Sequence, residues 1–140
     1  MEYVTLGDIE TRLGTVALIQ LTDDAQAGQA NLAVVTEAAD GAEGEVNSHL
    51  ALRYPMPLNG ILLPDAAALL RSIVLDLVEF RLHARRPPVP LEVSAKRAAA
   101  VNWLKAVAAG RVTLPTAAGG LRAAITGSAR VLSREAMEDF

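Results

Sequence analysis

Residues 65–85, DAAALLRSIVLDLVEFRLHAR, constrain this chain more than any other stretch. At about 100° per residue, Ser72, Asp76, Glu79 and His83 fall in one narrow polar stripe, and most of the remaining circumference is Leu, Ile, Val, Phe or Ala. A helix apolar over so much of its surface must be covered on most sides, so the spacing predicts a central helix inside a bundle. Asp65, after Pro64, is a suitable N-cap. Arg81 is the exception. It lies across from the stripe among Leu70, Val74 and Leu77, and must reach water or a carboxylate partner.

Four further helical segments can supply the cover. Thr5 followed by Asp8 has the spacing of a capping box for LGDIETRL, which Gly14 would end. Thr15 is placed to cap a second short helix, VALIQL, and TDDAQAGQAN then reads as a loop. Over residues 30–54, Leu32, Val35, Ala39, Ala42, Val46, Leu50 and Arg53 recur at three- and four-residue spacing. Gly41 and Gly44 in that run weaken the helix but allow a close crossing. Pro55 and Pro57 stop it, and PMPLNGILLP is a compact connection in which Met56 and Leu58 can cover the base of the central helix. After a stiff RRPPVP linker, residues 91–109 carry a stripe of Val93, Lys96, Ala100, Trp103, Leu104 and Val107, with an i,i+4 pair of Glu92 and Lys96. Gly110 closes this helix.

The expectation is therefore a mainly α protein: a small bundle of about five helices over residues 1–110, with a long extended C-terminal arm over 111–140. The arm has scattered Gly, Pro, Ser and Thr, AITGSARVL in it could form a short β segment, and Ser133 could cap a final turn. A chain of 140 residues suits one core. No apolar run approaches the ~18 residues of a membrane span, and the start MEYVTLGD resembles no signal peptide, so synthesis in the cytoplasm is the default expectation.

No catalytic constellation is legible. Ser48 and His49 are sequence neighbours and diverge on a helix, and Glu43 and Glu45 face different ways. There are no cysteines, and His49 and His83 stand alone without metal-ligand spacing. Asp23 and Asp24 begin like a calcium loop, but no further oxygen ligands follow. Trp103 lies in an apolar stripe and reads as core. The expectation is a non-enzyme with no metal and no cofactor.

Charge is distributed unevenly along the chain. Residues 1–70 hold two arginines against ten acidic residues, a formal −8; residues 71–140 hold eleven Lys or Arg against six acidic residues, a formal +5. The halves are either two solvated faces or two patches suited to head-to-tail contact between copies. The candidate contact residues are Arg53 and Tyr54 at the proline corner, Arg81, Arg85 and Arg86 on and after the central helix, Arg111, Arg122, Arg130 and Arg134 along the arm, and the terminal Phe140.

The order of phrases resembles the small head-completion, or head–tail adaptor, proteins of Mu-like phages. The phrases are the opening Tyr3-Val4-Thr5-Leu6-Gly7-Asp8, LIQLTD at 18–23, and a helix ending in Leu50 with Arg53-Tyr54 and Pro55-Met56-Pro57-Leu58. Phe80-Arg81-Leu82, Trp103-Leu104 running to Gly110, and a basic serine-arginine tail ending in Phe140 complete the series. Two phrases depart from the pattern: AQAGQAN replaces an Asp/Gly-rich loop, and Val131-Leu132-Ser133 has leucine where an aromatic is expected. The resemblance implies a virion protein of the neck, forming a homo-oligomeric ring of about twelve copies. Its partners would be the portal protein above and a tail-terminator or other neck protein below. DNA would pass through the channel without sequence-specific recognition, and no membrane is involved. A small helical DNA-binding regulator is the alternative reading, since short helices joined by turns resemble a helix-turn-helix; no helix before residue 71 is basic, which counts against it.

Overall fold

The computed structural model describes residues 1–56, 58 and 61–116. They form five helices: α1 (Leu6–Leu13), α2 (Thr15–Thr22), α3 (Leu32–Leu50), α4 (Pro64–Ala84) and α5 (Leu91–Ala108). The chain is mainly α, as its periodicity predicts. The expected β segment of the arm, AITGSARVL, lies outside the described residues.

α4 packs against each of the other four helices. It buries Leu70, Ile73, Val74, Leu75, Leu77, Val78 and Leu82 around most of its circumference. α3 runs antiparallel to it and contributes Val35, Ala39, Ala42, Val46 and Leu50 to the same core, and α5 adds Ala100, Leu104 and Val107. Small alanines on α3 let two large helices approach closely, while leucines on α4 and α5 fill the space between them.

Several helix ends differ from the sequence expectation, each for a local reason. α4 starts at Pro64, with Leu63 as N-cap, so Asp65 sits in the first turn and does not cap. Proline suits the first helical position because its missing N–H would have no partner there, and Asp65 then complements the helix dipole. Thr15 lies inside α2. Its hydroxyl bonds the Glu10 carboxylate at 3.0 Å, and Gly14, at φ 87°, serves both α1 and α2. α3 begins after Asn31, whose side chain accepts from the Ala33 and Val34 amides. It ends at Leu50 and not at the prolines; residues 51–54 form a turn closed by the Tyr54 amide on the Leu50 carbonyl, at 2.9 Å. Leu32, expected in the apolar stripe, is 56 % exposed, and Met56 is 37 % exposed while Leu58 is fully buried. Lys96 pairs with Glu79 of α4 at 3.0 Å, not with Glu92.

Two ends of the bundle can now be named. At the corner end, the C-termini of α3 and α5 lie together and α4 begins. Beyond Gly110 the chain crosses back over the start of α4: the Leu63 amide bonds the Pro115 carbonyl at 3.2 Å, and Leu62 and Thr116 form an isolated antiparallel bridge. At the loop end, the 23–31 loop leads into the first turn of α3 and is tied through Asp24 to Arg85 and Arg86 after α4, from which the short 85–90 linker runs to the first turn of α5.

Candidate functional site

The polar chemistry of the described residues is organised by carboxylates. Glu43, on the buried face of α3 and only 5 % exposed, is the deepest of them. Its carboxylate accepts the amides of Glu2 at 2.7 Å, Tyr3 at 2.7 Å and Val4 at 3.2 Å. Three backbone donors on one ionised group give charge-assisted hydrogen bonds that offset the cost of burying it. The extended N-terminal residues are thereby clamped to α3. The Tyr3 hydroxyl donates to Asn47 Oδ1 at 2.6 Å. Burial, with Glu2 and Glu43 adding to it, pushes the Tyr3 phenol up to about 12.

Most of the predicted contact residues that lie among the described residues brace their own chain. Arg81 reaches Glu45 at 3.4 Å, and Arg97 reaches the other oxygen of Glu45 at 3.0 Å while stacking over the Phe80 ring. Arg81 lies along α3 over Gly41, where an added Cβ would stand 2.7 Å from its guanidinium nitrogen. The close approach allowed by Gly41 is thus made by a side chain, and Gly44 has nothing near it. Arg85 binds the Leu21 carbonyl and Asp24, and Arg86 binds the second oxygen of Asp24 at 2.6 Å. Arg12 meets Asp76 at 2.7 Å, and Arg71 lies 3.9 Å from Asp8. These pairs join the acidic first half to the basic second half within one molecule. Part of the charge split of the sequence is therefore internal: Arg71, Arg81, Arg85, Arg86 and Arg97 of the basic half meet Asp8, Glu45 and Asp24 of the acidic half.

The proline corner is resolved as well. The Tyr54 hydroxyl accepts the Leu114 amide at 2.7 Å, fixing the chain that crosses back after α5. Arg53 is exposed and lays its guanidinium on Gly110, which has φ 83° and no Cβ to obstruct it. Arg53 has no carboxylate partner among the described residues. Arg111 is exposed beside it. Arg122, Arg130, Arg134 and Phe140 lie outside the described residues.

Sequence reasoning set Glu43 aside after testing it against Glu45 as a catalytic pair. The available signal was its register: it follows Ala42 and precedes Val46 by three, on the apolar side of α3. The ion-pair roles of Asp24, weighed with Asp23 as a calcium ligand, and of Arg12 were also missed, since their partners lie sixty or more positions away. Asp23, weighed as a calcium ligand, instead accepts the amides of Ala27 at 2.8 Å and Gly28 at 2.7 Å, so both carboxylate oxygens hold the loop. Among the described residues no group of three or more His, Cys, Asp or Glu could hold a metal ion, and no helix is long and apolar enough to cross a membrane.

Fold and polar groups together define a small helical protein whose charged side chains mostly hold its own elements to one another. The chain belongs to the family described as Bacteriophage Mu, Gp36, whose model matches residues 3–133, and so is a protein of the Mu-like phage type. No curated protein matches it.

Proposed function

We propose that the protein is a structural, non-catalytic component of the phage neck: an adaptor that forms a ring between portal and tail and surrounds the DNA channel. The observation that carries this reading is the family match over residues 3–133, which takes in every phrase from the opening Tyr3-Val4-Thr5 to the basic stretch at Arg130. The bundle supports it in a second way. Ion pairs between helices of the same chain and the Glu43 clamp make each copy a self-contained block, and a ring of blocks keeps its channel open without any one copy changing shape. The portal and a tail-terminator or other neck protein are the expected neighbours. The arm, with Arg122, Arg130, Arg134 and Phe140, is the segment we assign to contacts that form only in the assembled neck.

Cryo-electron microscopy of the neck, or native mass spectrometry of the protein with its portal, tests the proposal. A ring of copies seated on the portal is the expected result. A strict monomer that joins neither portal nor tail-terminator protein would refute it. Removal of residues 118–140 should leave a helical bundle by circular dichroism that no longer assembles; a truncated chain that assembles normally would remove the arm from the proposal.

A further inference from the structure

The ion pairs do not consume all of the charge, and what they leave is sorted by position. Among the described residues the cations without a carboxylate partner are Arg53, Lys105 and Arg111. All three sit at the corner end. Lys105 is in the last turn of α5, Arg111 follows Gly110, and Arg53 rests on Gly110 from the end of α3. The dipole of α5 favours cations there, but it does not saturate three donor-rich heads.

Among the described residues the carboxylates without a cation are Glu2, Glu10, Asp23, Glu37, Asp65 and Glu92. Four of them gather at the loop end, where they outnumber the one positive charge left over by Arg85 and Arg86 sharing Asp24. Glu92 is in the first turn of α5. Glu37 lines the groove shared with Phe80, Arg81 and Arg85 near the end of α4. Glu10 and Asp23 line a groove of about 660 Å³ with Leu18, Ile19 and Leu32. The corner end holds only Asp65 of this set, in the first turn of α4, where the helix dipole already engages it.

Each end also exposes leucine beside its unpaired charge. Leu52, 71 % exposed, and Leu63, 44 %, flank the cationic end; Leu91, 88 %, and Leu32, 56 %, flank the anionic end. Apolar contact with a charged rim of opposite sign is the composition of a specific protein interface.

We infer that these two ends are the complementary faces of the contact between copies, with the corner end of one molecule seated on the loop end of the next. The inference rests on the ring proposed above and assigns its faces. The two faces differ, so the contact is heterologous. They lie near opposite ends of the bundle, so a ring closes only if it is large; sharply inclined faces would be needed for a small one. The attraction is between exposed charges and weakens with salt.

A charge-swap experiment on the full chain tests this. One variant carries Arg53→Glu, Lys105→Glu and Arg111→Glu; the other carries Glu37→Lys and Glu92→Lys. Asp23 is left alone because it holds its loop. By native mass spectrometry at low salt, each variant alone should need at least about tenfold more protein to assemble than the parent. An equimolar mixture should recover assembly, with the two variants alternating. Circular dichroism checks each fold. If the triple variant loses helix, Lys105→Glu/Arg111→Glu, which spares the Arg53 contact with Gly110, is read in its place. If the parent assembles and both variants assemble equally well, the face assignment is overturned while the ring stands. If the parent stays monomeric alone and with its portal, the ring and the faces fall together.

Discussion

At the loop end, the backbone of residues 23–31 is held mostly by atoms close in sequence. Asp23 takes two amides of its own loop, and the buried Thr22 hydroxyl donates to the Leu18 carbonyl and accepts from the Asn31 amide. Arg85 and Arg86 then tie Asp24 to α4. At the corner end, the described residues of the 51–63 connection bond one another only through the Ile61 amide on the Leu58 carbonyl, at 3.0 Å, while the Tyr54 amide returns to Leu50. The connection is also held by a segment from more than fifty positions away: Tyr54 meets the Leu114 amide, Leu63 meets Pro115, and the buried Leu58 and Leu114 join the common core. One end is closed by local hydrogen bonds and ion pairs, the other by tertiary packing. The first should survive loss of single polar groups, and the second should fail when a core side chain is removed.

The largest effect is therefore expected at the corner. Leu58→Ala removes a fully buried side chain and should cost about 2–5 kcal/mol in chemical denaturation. A cost under about 1 kcal/mol would show that packing does not hold this end. Thr22→Val keeps the shape of a buried side chain but strands the Asn31 amide, and about 1–2 kcal/mol should be lost. Tyr54→Phe should cost about 1 kcal/mol and accelerate hydrogen exchange at the Leu114 amide, with amides of the 23–31 loop unchanged. Asp24→Asn removes the ion pairs of two partly exposed arginines and should change stability by less than about 1 kcal/mol, an effect that fades in high salt.

The N-terminal clamp adds a pH test independent of either end. The Tyr3 phenol is raised in the folded state to about 12 from an ordinary value of 10.0. Its neutral form is thus favoured by folding. The contribution is fully present below pH 10 and is lost as pH rises through about 12. Denaturation midpoints measured from pH 9 to 12 should fall more steeply for the parent than for Tyr3→Phe; identical slopes would remove Tyr3 from the account.

Much of the fold was legible. The nearly all-round apolar surface of residues 65–85 required a central helix, and α4 does touch every other helix. The capping box of Thr5 and Asp8 is present with both bonds made, at 3.1 and 2.9 Å. Gly110 follows α5 with the positive φ expected of a helix-ending glycine. These signals are local, set by periodicity and by the first and last turns of helices, so they survive without knowledge of neighbours.

The candidate site was legible only as a set of residue types. HLALRYPMPL marked Arg53 and Tyr54 as a polar pair at a corner, but not that Tyr54 would bind the returning chain or that Arg53 would find a bare glycine to rest on. The sequence likewise carried the acidic and basic halves without saying that Glu45 and Asp24 would each be shared by two arginines. By itself, the sequence determined the helices, their order and the burial of α4, because each depends on side chains within a few turns. Only the tertiary structure decided which charges cancel and which remain, because an ion pair depends on distance in space, and α4 runs antiparallel to α3. That antiparallel packing brings Arg81 to Glu45 and leaves Arg53, Lys105 and Arg111 together at the opposite end.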